Sequence, residues 1–147
     1  MPETCLNLIG GAWVAGDHAV ENRNPSDLAD LIGLYAAGSA QDVARAVAAA
    51  RAAQPLWAAA GPQARADLLE RIARGIEARE TAFATLLARE EGKILPEALA
   101  ETRRAAQIFR FFAGEALRVT GDAVDSVRPG VEVTVTHEPL GVIGLIT

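Results

Sequence analysis

Between Ser39 and Leu117 the chain is written in a helical period with alanine as its main apolar residue, and that feature constrains the fold more than any other. Alanine-dominated faces with few aromatics favour close-packed helices over a β-sandwich. Ser39-Ala40-Gln41-Asp42 predicts a helix start, with a capping serine and an acidic residue three positions on. Val43, Val47 and Ala50 then share one face, and Arg45 and Arg51 lie off it. Gly61-Pro62 restarts the chain, since proline suits a first helical turn whose N–H is unpaired anyway. Leu68, Leu69, Ile72 and Ile76 form the next stripe. A third helix, from Glu80 to Glu91, is expected to bury Phe83, Leu86 and Leu87 and to stop at Gly92. Leu95-Pro96-Glu97 opens a fourth that runs to about Leu117, with a stripe of Leu99, Ile108, Phe111 and Phe112.

On either side of this block the period drops to two. Residues 6–14 predict two short strands about the Gly10-Gly11 turn. Asn24-Pro25-Ser26-Asp27 is a turn, and Leu31 to Ala36 a further short strand. Val131, Val133 and Val135 alternate with Glu132, Thr134 and Thr136, which predicts a strand with one buried face. After the turn Glu138-Pro139-Leu140-Gly141 comes an almost wholly apolar run, residues 142–147. Such a run suits a strand covered on both faces, as in a parallel α/β sheet. A strand of that kind needs neighbours and a crossover helix, and the 147 residues offer none, so the pattern predicts a piece of a larger α/β domain.

Composition excludes several function classes. Half the residues are hydrophobic and 22% are charged, a globular balance. The formal charge of −5, with arginines interleaved among carboxylates, predicts neither a nucleic-acid nor a membrane partner. The single cysteine, Cys5, rules out an intramolecular disulfide and fits a reducing, cytoplasmic setting. No signal-peptide pattern opens the chain, and no apolar stretch approaches a membrane span.

Few residues suggest chemistry. Cys5 has no histidine near it in sequence and reads as an inert thiol. His18 and His137 are isolated, without metal-ligand spacing. Glu90-Glu91 sits at a helix end, where solvated charge is the ordinary explanation. Gly141-Val142-Ile143-Gly144 lacks both the glycine spacing and the following helix of a dinucleotide fingerprint.

Several segments in order nevertheless resemble the beginning of an aldehyde dehydrogenase. They are Ile9-Gly10-Gly11-Ala12-Trp13, Asn24-Pro25-Ser26, and Asp42 to Arg51 running into Trp57. Next come Arg65 with Leu68-Leu69, Glu91-Gly92-Lys93 with Pro96-Glu97-Ala98, and Phe111-Phe112-Ala113-Gly114. His137 to Thr147 completes the series. Each motif is weak alone; their order over nearly the whole chain carries the resemblance. The wording at Phe109–Arg118 and Ser126–Val131 is similar to the 2,5-dioxopentanoate (α-ketoglutarate semialdehyde) branch, with succinate-semialdehyde dehydrogenases as neighbours.

The resemblance implies an α/β fold in three parts. Residues 1–121 would form the amino-terminal hairpin and helical layer of the cofactor-binding domain. Residues 122–139 would be an oligomerisation strand segment that joins a neighbouring subunit's sheet. Residues 140–147 would be the first strand of an incomplete Rossmann-like parallel sheet. It further implies an NAD- or NADP-dependent homo-oligomer, a dimer or tetramer, that oxidises an aldehyde. In that family a thiolate attacks the aldehyde, amide donors hold the oxyanion, hydride passes to the nicotinamide and a glutamate-activated water releases the acid. The nucleophile and general base fall beyond residue 147 in the family, and Cys5 does not occupy the nucleophile's place, so this chain by itself is expected to be inactive.

Three regions are implied to touch that machinery. Ile146 and Thr147 match the strand end bordering the cofactor. Ala100 and Arg104 fall on the helix that lines the substrate tunnel. Arg104 could fork onto the distal carboxylate of a semialdehyde acid, or simply pair at helical spacing with Glu97 or Glu101. Glu90 with the backbone at Asn22 and Arg23 matches a structural alkali-cation site, with glutamate in place of the usual aspartate. The alternative to a partial enzyme subunit is a short non-catalytic interaction protein that associates with dehydrogenase subunits.

Overall fold

The computed structural model describes residues 4–146. The elements follow one another as β1 (Thr4–Cys5), β2 (Asn7–Ile9), β3 (Ala12–Val14), β4 (Ala19–Asn24), β5 (Asp27–Ala36), α1 (Ala40–Ala59), α2 (Pro62–Glu77), α3 (Glu80–Glu91), α4 (Leu95–Ala116), β6 (Asp122–Asp125) and β7 (Glu132–Val135). The β2–β3 hairpin closes through Gly10 and Gly11 at φ 59° and 83°, two successive positive values that a two-residue turn matching strand twist requires. β5 is the centre of a small sheet, antiparallel to β4 and parallel to β1. Apolar content along the sequence marks only Leu31–Ala36 of β5 and nothing of β4, because Glu21-Asn22-Arg23-Asn24 is polar and its pairing is set by β5 rather than by its own alternation.

Local signals set the helix boundaries. Ser39 caps α1 in a reciprocal box: its hydroxyl accepts the Asp42 N–H at 3.2 Å and its own N–H donates to Asp42 Oδ2 at 2.8 Å. Pro62 and Pro96 occupy the first turns of α2 and α4. α3 ends on Gly92 at φ 68°, a left-handed cap that a side chain would strain. Pro55 lies inside α1 and leaves the Arg51 carbonyl without its helical donor.

The helices meet through small residues. The buried set in the helices is Ala66 and Ala73 on α2, Ala84 on α3, and Ala98, Thr102, Ala106 and Ala113 on α4, and no large side chain among the described residues is fully buried. Thr102 satisfies its hydroxyl by donating to the Ala98 carbonyl at 2.8 Å. Ion pairs bracket this alanine seam. Arg110 on α4 forks onto Glu77 on α2 at 2.7 and 2.8 Å and reaches Glu70 at 3.3 Å. Arg103 donates to Glu80 on α3 at 3.0 Å.

Several expected apolar stripes face outward instead. Phe83 and Leu86 are exposed, as are Ile108, Phe111, Phe112, Val43 and Val47. Val131, Val133 and Val135 are exposed too, so the strand lacks the buried face its alternation predicts: β7 pairs with β6 alone, and neither strand has a layer against it. Residues 136–146 join no ladder, and Ile146 is fully exposed. A strand is defined by its neighbours, and no described residue pairs with this run. The chain exposes 11068 Å² in total, about half as much again as the roughly 7,200 Å² of a closed domain of this mass. No helix among the described residues is long and apolar enough to cross a membrane.

The capping box yields a pH prediction. The Ser39 backbone N–H, then the Arg45 guanidinium and the Ser39 hydroxyl, pull the Asp42 carboxyl from 3.8 down to about 2. Because the folded value lies below the unfolded one, the stabilisation is complete above pH 3.8 and is lost as pH falls towards 2. Asp42→Asn is therefore expected to lower the melting temperature near neutrality, with the gap to wild type closing as pH falls through that window. Circular dichroism melts of both proteins check it; a gap independent of pH would remove the electrostatic account.

Candidate functional site

The polar groups converge where the end of α3 meets the β4–β5 hairpin. Asn22 on β4 donates through Nδ2 to Glu90 Oε1 at 2.7 Å. Arg89 forks onto Asp30 of β5 at 2.9 and 2.5 Å, and Asn24 adds a third donor at 3.3 Å. The Arg89 guanidinium holds the Asp30 carboxyl below the usual range, although partial burial opposes it. Ser26 donates its hydroxyl to the Gly92 carbonyl at 2.7 Å. A Cβ on Gly92 would meet the Ser26 Oγ at 2.5 Å and Pro25 Cγ at 2.9 Å, so glycine is needed there for the close approach as well as for its φ. Tyr35 shares this corner: burial, and then the negative charge of Glu90, push its phenol up.

The β4–β5 register slips on both sides of Arg23, so this stretch of backbone leaves the regular ladder. Of the three residues singled out for a cation, the structure thus brings Glu90 and Asn22 together. The Arg23 side chain turns away to Glu21, at 2.9 Å, and to the Leu28 carbonyl, at 3.0 Å. Among the described residues no group of three His, Cys, Asp or Glu side chains forms that would hold a metal ion.

α4 carries the other implied residues. Ala100 and Arg104 are both exposed, four positions apart on the same helix. Arg104 pairs with neither Glu97 nor Glu101; among the described residues its side-chain hydrogen bond is to Gln107, at 3.5 Å. Glu101 is taken by Lys93 instead, at 2.5 Å, a pairing across the α3–α4 turn that helical spacing does not reveal. Arg103 and Arg110 are bound to carboxylates, which leaves Arg104 as the arginine of α4 without one. A groove of about 440 Å³ runs between α2, α3 and α4, lined by Ile76, Phe83, Leu87, Glu90, Glu101 and Thr102. It takes in Glu90 from the hairpin corner but neither Ala100 nor Arg104.

At the far end, residues 140–144 lie against Val47, Arg51 and Gln54 of α1 around a groove of about 480 Å³. Ile146 stands free of it, and Thr147 lies outside the described residues. Gly141 takes φ 97°, and no helix follows it among the described residues. Among the described residues this segment presents no charged side chain to hold a dinucleotide pyrophosphate.

Comparison with known proteins places this architecture. The sequence model of the aldehyde dehydrogenase family matches residues 13–147. An alpha-ketoglutaric semialdehyde dehydrogenase of Bacillus subtilis is 40% identical over 98% of the chain, which spans 30% of that relative. An alpha-ketoglutarate semialdehyde dehydrogenase of Haloferax volcanii is 30% identical over 100% of the chain and 31% of its own length. Among solved structures, a betaine aldehyde dehydrogenase of Staphylococcus aureus in complex with NAD+ superposes with a TM-score of 0.87 at 29% identity, covering 92% of this chain and 28% of that one. Lactaldehyde dehydrogenase of Escherichia coli gives 0.85 at 33% identity over 91% and 28%. The chain thus spans under a third of the relatives it matches, and over that span it belongs to the aldehyde dehydrogenase family.

Proposed function

We propose that this chain is the amino-terminal part of a cytoplasmic, NAD- or NADP-dependent aldehyde dehydrogenase that oxidises a semialdehyde acid, such as α-ketoglutarate semialdehyde, to the dicarboxylic acid. The observation that carries this reading is the family match over residues 13–147, together with semialdehyde dehydrogenases among its relatives. Residues 1–147 by themselves are inactive in this reading, because the nucleophile and the general base belong to the rest of the polypeptide. The described residues do not by themselves make a cofactor cradle, so no step of the reaction is assigned to them.

Three roles fall to this chain. Arg104 is the substrate-facing residue: it is exposed, has no carboxylate partner among the described residues and lies four residues from Ala100. A guanidinium in that state offers a fork to the distal carboxylate of a semialdehyde acid. The β6–β7 hairpin is the homo-oligomerisation element. All eight of its strand residues are exposed and its outer edges pair with no other described residue, the condition in which a sheet recruits a further strand. Glu90, with the backbone at Asn22 and Arg23, forms the rim of a weak alkali-cation site. The register slip at Arg23 and the carboxylate beside Asn22 support this, since a hard cation is held by oxygens.

The purified 147-residue chain is expected to form no NADH or NADPH with succinate semialdehyde, and to self-associate in light scattering. Turnover by this chain would refute the inactivity, and a monodisperse monomer with a cooperative melt would refute the assembly role. In the complete polypeptide, Arg104→Ala should raise KM for a semialdehyde acid roughly tenfold to a hundredfold, the loss of a charged hydrogen bond, and leave a neutral aldehyde within about twofold. Equal losses for both substrates would remove the clamp. Replacing potassium by tetramethylammonium should lower the melting temperature of the wild type and leave Glu90→Gln unmoved; identical responses would remove the cation site.

A further inference from the structure

The chain carries thirteen arginines and one lysine, Lys93. A guanidinium stays protonated, whereas an ammonium can shed its proton and attack acyl and carbonyl carbons. Any amine-directed modification of a side chain in this chain therefore falls on one position, and that position is built into the turn between α3 and α4. Gly92 reverses the chain there, and the Lys93 N–H donates to the Ala88 carbonyl at 3.1 Å. The Lys93 ammonium then reaches Glu101 of α4 at 2.5 Å and also pairs with Glu91 of α3. The lysine side chain is 16% exposed, against 50% and 54% for the two glutamates, so the carboxylates form the outer wall and the amine lies behind them. Glu101, and after it Glu91, hold the amine above its ordinary pKa.

We propose that Lys93 is a gated amine, open to aldehydes and acylating agents only when the α3–α4 turn loosens and its two glutamates release it. Once released, the amine gives its proton to solvent and its lone pair attacks the aldehyde carbon. The C–N bond forms as the carbonyl π pair moves onto oxygen and takes up a proton, and the carbinolamine then loses its hydroxyl and an N–H proton as water to leave an imine. The imine nitrogen no longer offers three N–H donors, so at least one of the two glutamates loses its partner and the turn cannot re-form as before. The relevance of aldehydes rests on the function proposed above; the gate itself rests only on the geometry of the turn. A chain that handles aldehydes would thereby keep its single reactive side-chain amine protonated and behind two carboxylates.

The test uses the complete polypeptide with two probes, propanal trapped by cyanoborohydride and, separately, acetic anhydride. Mass spectrometry follows the peptide containing Lys93, with the amino-terminal amine as internal reference. Labelling of Lys93 in the folded chain is expected to be at least about tenfold slower than in urea. Glu101→Gln and Glu91→Gln should each accelerate it several-fold. Glu97→Gln makes the same charge change on α4 but removes no ion pair among the described residues, and should leave the rate unchanged. Should a glutamine variant fail to fold, salt added to the folded wild type gives the same reading, because screening weakens the two pairs and Lys93 labelling should rise. Three results would each overturn the gate: folded-state labelling within about twofold of the urea rate, Glu97→Gln accelerating as much as Glu101→Gln, or protection from propanal without protection from the anhydride. None of these measurements involves turnover, so their failure leaves the enzyme reading standing.

Discussion

The close approach of α2 and α4 through alanine is the constraint on which the rest of the chain depends. Ala73, Ala98 and Ala106 are completely or almost completely buried, while large side chains such as Leu69, Ile76 and Phe109 are only half-buried beside them. Alanine interfaces let backbones come near at little entropic cost, but each methyl removes little apolar area from water. The seam therefore needs help from its flanks, and Arg110 supplies it by forking onto Glu77 and reaching Glu70. That guanidinium lowers the Glu77 carboxyl, and Arg74, with Arg110 after it, lowers Glu70, so the clamp is charged on both sides near neutrality. Phe83, Phe111 and Phe112 stay exposed, with Phe83 lining the groove between α2, α3 and α4.

From this seam the order passes outward by specific polar contacts more than by burial. α3 packs on α4 through Ala84 and is held by Arg103 on Glu80 and Lys93 on Glu101. The hairpin is then fastened to the end of α3 by Arg89 on Asp30, Asn22 on Glu90 and Ser26 on Gly92. Arginine supplies two of these five contacts, and at Asp30 its planar fork satisfies both carboxylate oxygens at once. Against that background an α4 arginine without a carboxylate stands out, and the substrate role of Arg104 is argued from that contrast.

Local features of the chain are legible in its residues alone. The Ser39–Asp42 box, the Gly10-Gly11 turn, the prolines opening α2 and α4, and the Gly92 stop all rest on interactions within a few residues, and each element begins or ends where those residues put it. β4 and β6 are not legible in that way, because a polar strand is recognised only by the partner that completes its ladder. The pairing of Lys93 with Glu101 is hidden for a related reason: it crosses a turn, and helical spacing would instead offer Glu101 to Arg104.

The family is likewise readable from ordered motifs, and comparison bears it out over residues 13–147. Sequence by itself determined the helix boundaries, the tight turns and the family, because these follow from short-range chemistry and from order along the chain. Only the tertiary structure decided which apolar stripes are covered. Periodicity marks Val131, Val133 and Val135, or Phe111 and Phe112, as suited to burial, but burial requires a second surface, and within the helices such surfaces close on each other at the alanine contacts of α4 with α2 and α3.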